Sequence, residues 1–322
     1  MTRRLPHLLA VIAGLAGLAG CGGTSDHALR LTLGALHAGP PAAAATNSAA
    51  GRPGCDESLR PPRTLPTPGA MPAGSFMATI ARRHRLIVGV DQNSKILSYL
   101  NPADGQLEGF EIDVLRQIAK AIFGDPRAVE FRAITTAQRV PIVQSGAVDI
   151  VADAVTITCA RAALVSFSTD YYDGDGGFLV ARNSPVRHVA DLGGERICAT
   201  TASTSIERVL ALRPRAVAYP VSQRTDCLVA LQQGDVDAIA SDQALLLGFQ
   251  AQDPYTRFVS QPSSHAPYGM AISRAHPDFV RFVNGVLRQI RADGTWRTIW
   301  SHWLGPIVGT SAPAPPAAHY AR

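Results

Sequence analysis

The chain has 322 residues, 46% of them hydrophobic and 17% charged, which is enough for ordinary cores and suggests two compact units. Its net charge of +5 comes from 30 basic and 25 acidic residues spread along the chain with no long basic run, which argues against a nucleic-acid footprint. One apolar run, at the N-terminus, approaches membrane length, so a multi-span membrane protein is excluded.

Only Lys95 and Lys120 are lysines, and neither lies in a Gly-Lys-Ser/Thr loop. His-Glu-x-x-His, Cys-x-x-Cys, Gly-x-Ser-x-Gly and Gly-x-Gly-x-x-Gly are absent.

Taken in chain order, residues 1–21 (MTRRLPHLLAVIAGLAGLAGC) carry Arg3 and Arg4, then a short apolar run, then small residues before Cys21. This is the layout of an export signal with a lipobox, so 1–20 is expected to be removed and Cys21 to carry lipid. The alternative is an ordinary signal with an incidental cysteine. Lipidation places the protein at the cell membrane, on its extracytoplasmic face. Residues 21–75 are rich in Ala, Gly and Pro and read as a flexible tether; 307–322 read as a disordered tail.

Between them, short apolar strands alternate with amphipathic helices. The stretch 85–90 is a strand, 108–123 presents a helical apolar face, and Val129–Ala133 is a strand. Thr135 and Thr136 cap a helix ending at Gly146, and Val148–Ala152 is a strand. The order predicts an α/β unit with a parallel sheet. The pattern recurs from Phe178 to Ala240, and 279–290 closes the folded region with an amphipathic helix.

If Cys21 is lipidated, four cysteines remain, and three pairings are open. Cys198 sits in a strand-like run and Cys227 near the start of a helix, which favours that pair and leaves Cys55 with Cys159. No metal site is expected.

Six segments stand in an order with a known counterpart: LIVGVD (86–91), GFEIDV (109–114), VDIVADAVTIT (148–158) followed by Arg161, VSFSTDYY (165–172), DLGGERICA (191–199) and DGTWRTIWSHWL (293–304). On these the stretch from about 76 to 306 resembles the amino-acid-binding proteins of ABC importers, close to actinobacterial glutamine- and glutamate-binding lipoproteins. The resemblance implies a type II periplasmic-binding fold: two Rossmann-like α/β lobes joined by a two-strand hinge. Lobe 1 would be 76–180 plus 270–306 and lobe 2 181–269, with crossovers near Leu179–Arg182 and Tyr268–Ala271.

The resemblance also implies the site. Arg161 would grip an α-carboxylate, since guanidinium can donate two parallel bonds. Thr156 and the Ala154 backbone would contact the ligand head. Asp242 would accept the ammonium, or cap a helix, or both. Thr200, Ser203 and Thr204 precede a helix, as ligand contacts or as caps; Ala202 stands where the family usually has glycine. Around the ligand side chain would lie Asp91, Arg139 and Arg224, with Thr136 a further ligand contact. Arg139 aligns with an arginine that meets a side-chain carboxylate in glutamate/aspartate-type members, whereas Asp91 would neutralise positive charge and favour an amide. The expected ligand is glutamate or aspartate, with glutamine or asparagine close behind.

The implied function is that of a monomeric, non-enzymatic receptor, without cofactor, delivering a polar amino acid to an ABC permease. Two alternatives are a sensing lipoprotein that signals through a membrane partner and a dehydratase of the same fold. His84, His188 and His265 fall outside the matched cleft segments and Glu108 in a turn, which disfavours catalysis.

Overall fold

The computed structural model describes residues 55–321 except Arg213. Cys21 and the signal segment lie outside the described residues.

From Ser75, whose side chain caps it, the chain forms α1 (Phe76–Arg82) and the buried strand β1 (Leu86–Val90). A small antiparallel sheet follows, β2 (Asn93–Ser94), β3 (Ser98–Leu100) and β4 (Leu107–Glu108). Next come α2 (Phe110–Phe123), β5 (Val129–Ala133), α3 (Arg139–Gln144), β6 (Ile150–Val151), α4 (Cys159–Ala162) and β7 (Ser166–Phe167). The chain then builds β8 (Asp175–Ala181), β9 (Arg196–Thr200), α5 (Thr204–Ala211), β10 (Val217–Val221), α6 (Arg224–Gln233), β11 (Ala238–Asp242), α7 (Gln243–Gln252) and β12 (Thr256–His265). It returns through β13 (Ala271–Ile272) to α8 (Pro277–Ala292), α9 (Thr295–Trp303) and α10 (Gly305–Val308).

Two five-stranded sheets result, in the orders β5-β1-β6-β13-β7 and β10-β9-β11-β8-β12. In each, three neighbouring strands pair in parallel, as the alternating pattern predicts, and two more are added through antiparallel pairings. The sheets are therefore mixed, because the chain enters and leaves each one along its added strands. Each sheet is covered on both faces. Val88 and Ile150 pack with α2 and α8 on one side of the first, while Val151 packs with Val143 on the other. The second sheet divides its core in the same way between Phe178 and Leu179.

The sheets are joined by two segments that lie side by side. Tyr171 N donates to Tyr268 O at 2.9 Å, Tyr268 N to Tyr172 O at 2.8 Å and Ala266 N to Gly174 O at 2.8 Å. The first crossing thus falls at 168–174, not near Leu179–Arg182, and β8 belongs entirely to the second lobe. A strand buried on both faces looks the same whichever sheet holds it, so its apolar run did not mark the boundary.

The tether and tail depart from expectation. From Cys55 onward the supposed tether is docked: Asn284, fully buried on α8, donates to Ser58 Oγ and Leu59 O at 2.7 Å each, while its own Oδ1 accepts from Thr169 N. Leu59 and Leu65 pack on the first lobe's core, and a Cβ on Gly285 would stand 2.7 Å from Leu65 Cδ2. The tail also docks. Ser58 pairs with Tyr320, Ser58 N donating to His319 O and Ala321 N to Ser58 O, each at 2.9 Å. Proline-rich composition rules out an independent core, but not docking of single apolar side chains on another core. The disulfide Cys55–Cys159 fixes this segment to α4, and Cys198–Cys227 fixes α6 to β9.

Candidate functional site

The C-terminal ends of the parallel strands in both lobes face one narrow cavity, lined from the first lobe by Arg139, Ala154 and Thr156. The second lobe contributes Thr200, Ser203, Thr204, Arg224 and Asp242. This is where α/β folds gather ligand groups, because loops there are free of the ladder. The structure thus brings together eight of the eleven residues expected from the sequence. Asp91 lies behind Arg224, Arg161 beside Thr156, and Thr136 is buried without lining the cavity.

Arg161 is set by α4, whose N-cap Thr158 accepts from Arg161 N at 3.2 Å. Its Nη1 donates to Thr156 O at 2.7 Å and its Nη2 to Ala202 O of the other lobe at 3.1 Å. Among the described residues it forms no ion pair. Burial, and then the like charge of Arg139, lower its pKa to about 10. It is a cation beside a cavity with no carboxylate of its own.

The second lobe shapes the opposite wall. Ala202 has φ +58°, in the region that favours glycine, which accounts for the family's usual residue there. Ser203 caps α5: its Oγ accepts from Ile206 N at 3.1 Å and donates to Thr200 O at 2.6 Å. The cap alternative therefore holds for Ser203, whose hydroxyl is committed. Thr204 Oγ1 instead stands 3.4 Å from Thr156 Oγ1 across the cleft. Asp242 occupies the N-cap position of α7, but its side chain makes no cap bond. Its carboxylate accepts from Arg208 Nη2 at 2.8 Å and from the Tyr268 hydroxyl at 3.1 Å, and lines the cavity, where it has lone pairs left for a donor.

Arg139, Asp153, Arg224 and Asp91 form a buried charge cluster. Arg139 Nε donates to Asp153 Oδ2 at 2.7 Å. Arg224 Nη1 donates to Asp153 Oδ1 at 2.6 Å and to Asp91 Oδ2 at 2.5 Å, so a second-lobe arginine is held by two first-lobe carboxylates. Ser94 Oγ also donates to Asp91 Oδ2, at 2.7 Å. Burial pushes the carboxyls of Asp91 and Asp153 up, the latter well above the usual range. Burial works against the charge of Arg139, yet Asp153, Glu111 and Asp91 outweigh it and hold its pKa up. Arg139 is thus neither exposed nor waiting for a carboxylate: Asp153 already supplies one.

Sequence reasoning missed Asp153, Arg208 and Glu111. Glu111, buried on α2, accepts from Ala154 N at 2.7 Å and from the Tyr171 hydroxyl, and so holds Ala154 at its positive φ of +48°. A signal was present for Asp153: an acid at the end of an apolar strand is buried only with a cation beside it. Each disulfide lies within a turn of an arginine at or beside the cavity, Cys159 two residues before Arg161 and Cys227 three after Arg224.

Comparison with known proteins agrees with this architecture. Residues 86–306 match the family of bacterial extracellular solute-binding proteins, family 3. The chain is 29% identical over 229 residues to the ABC transporter glutamine-binding protein GlnH of Bacillus subtilis, covering 71% of this chain and 84% of that protein. It is 26% identical over 254 residues to the glutamate-binding protein GluB of Corynebacterium efficiens, covering 75% and 86%. Among solved structures, the solute receptor for L-cysteine of Neisseria gonorrhoeae superposes with a TM-score of 0.69 at 25% identity, covering 72% of this chain and 95% of that one.

Proposed function

The chain belongs to family 3 of the bacterial extracellular solute-binding proteins, and from that premise we propose that it is the amino-acid receptor of an ABC importer. In this reading it is anchored outside the cell by lipid on Cys21, closes its lobes over one amino acid as a monomer, and hands it to a membrane permease. The ligand ends in a neutral amide, glutamine before asparagine.

The observation that carries the reading is the difference in charge around the cavity. Arg161 is a cation without a carboxylate, which an α-carboxylate would satisfy. Asp242 has capacity for an ammonium. Arg139 and Arg224, in contrast, are matched by Asp153 and Asp91, so a ligand carboxylate there would add an unmatched buried charge. An amide adds none, and can accept from an arginine while donating to a carboxylate. The name of the Bacillus subtilis relative supports the same choice.

Closure follows the same chemistry. Arg224, Thr204 and the Arg161–Ala202 bond already join the lobes, and a ligand held by Arg161 on one side and Asp242 on the other would add to them. Micromolar binding is about −8 kcal/mol, which several such bonds supply together.

The test is a thermal-shift screen with glutamine, asparagine, glutamate, aspartate, arginine and cysteine, since a ligand bound only by the folded state raises Tm. Glutamine should give the largest rise. No rise with any amino acid overturns the receptor reading, and a larger rise with glutamate overturns the amide. For the anchor, Cys21→Ala should move the protein out of the membrane fraction; a variant still wholly membrane-bound refutes it.

A further inference from the structure

We propose that Asp153 decides whether the cavity accepts a carboxylate or a neutral side chain, acting as a counter-ion built in behind Arg139 and Arg224. The proposal rests on the reading of the cavity as an amino-acid site. Asp153 is wholly buried and does not line the cavity; the two arginines it binds do. Each of its oxygens takes one arginine, Oδ2 from Arg139 at 2.7 Å and Oδ1 from Arg224 at 2.6 Å, and its backbone carbonyl accepts from Arg224 Nη2 at 3.3 Å. It is held in place by its neighbour Ala154, whose N–H is fixed by Glu111.

The arithmetic of charge then sets the choice. With Asp91 and Asp153 ionised, each of the two cations is paired directly with an anion, and Glu111 is a further buried acid near Arg139. Removing Asp153 leaves one cation without a directly paired anion at a site shielded from water, where a ligand carboxylate would be the nearest remedy. Arg139 spends only Nε on Asp153, and its two Nη groups make no hydrogen bond among the described residues. Those groups are available to either kind of side chain. Asp153 therefore does not block contact; it cancels the net charge that would reward a carboxylate over an amide. It is a positioning residue, acting through the arginines.

The experiment measures Kd for glutamate and glutamine by calorimetry on the wild-type protein and four variants. Asp153→Asn should raise the glutamate-to-glutamine affinity ratio by about tenfold or more, the scale of one charge-assisted bond. Asp153→Glu, which keeps the charge, should leave the ratio near the wild type. Arg139→Gln should lower it, and the double variant Asp153→Asn, Arg139→Gln should bring it back. A folded Asp153→Asn protein with an unmoved ratio overturns the proposal, as does a double variant that keeps the full shift. If Asp153→Asn shows no cooperative melting, Arg139→Gln decides alone: a falling ratio supports the proposal and an unchanged one overturns it. Wild-type protein that binds neither ligand overturns the glutamine reading and this proposal with it, whereas wild-type binding with an unmoved ratio overturns this proposal only.

Discussion

Arg161, beside the cavity, bonds only to backbone carbonyls, whereas Arg139 and Arg224, which line it, are matched by carboxylates. The same residue type is left short of an anion where it is partly buried and supplied with two where it is fully buried. The contrast teaches where a ligand's charge belongs: an unmatched cation is costly to bury and is satisfied on binding, while a matched one has nothing further to gain.

The largest test of that contrast removes the unmatched cation. Arg161→Ala should cost about 3–5 kcal/mol of binding for every amino acid, since the α-carboxylate is common to all of them. Calorimetry against acidic, amide and small amino acids checks it, and a loss confined to one ligand class would break the comparison. Next comes the matched side. Arg224→Ala leaves Asp91 without its arginine and Asp153 with Arg139 alone, so it should destabilise the ligand-free protein by about 3 kcal/mol in urea unfolding and enlarge the particle in small-angle scattering. An unchanged Arg224→Ala protein would mean that the pairs across the cleft contribute nothing.

A smaller effect is expected from the support beneath Arg224. Replacing both Cys198 and Cys227 by serine opens the link between α6 and β9. It should cost about 2–3 kcal/mol of stability, and lower affinity for glutamine less than Arg224→Ala does. Equal losses of affinity would show that Arg224 acts through the helix position rather than its charge.

The smallest test lies outside the cavity, at the first crossing. Burial, against the attraction of Arg291, raises Asp170 from 3.8 to about 6. A raised carboxyl binds its proton more readily in the folded protein than in the unfolded one. Its contribution is therefore fully present below about pH 4 and is lost as pH rises through about 6. Asp170→Asn should remove that fall, on the order of 1–2 kcal/mol, which unfolding curves of the two proteins between pH 4 and 7 would show. Parallel curves for the two would mean that Arg291 compensates Asp170 fully, as Asp153 does Arg139.

Much of the fold was legible in the sequence. Strand and helix periodicity reflects which face of an element is buried, a local property, so β1, α2, β5, β9 and α6 stand where the apolar pattern puts them. The cysteine count and the strand and helix contexts of Cys198 and Cys227 were enough to favour their pair. Arg161, Thr156, Asp242 and the Ser203 region were legible because a motif fixes their position relative to strand ends.

The tertiary structure decided what depends on partners far apart in the chain. Nothing near Asp153 in sequence predicts Arg224, 71 residues away, or the 133 residues that separate Arg224 from Asp91. Arg139 read as a hand for a ligand's carboxylate because its own carboxylate was hidden in an apolar strand's end. Ser58 and Leu65 read as tether because their partners, Asn284 and Gly285, lie on the last long helix. The sequence by itself determined two α/β units, the cysteine framework and the place of Arg161 beside the cavity. Charge pairing across the cleft was left to the fold, because a buried ion is answered by whatever stands beside it in space, and only closure of both sheets sets that neighbour.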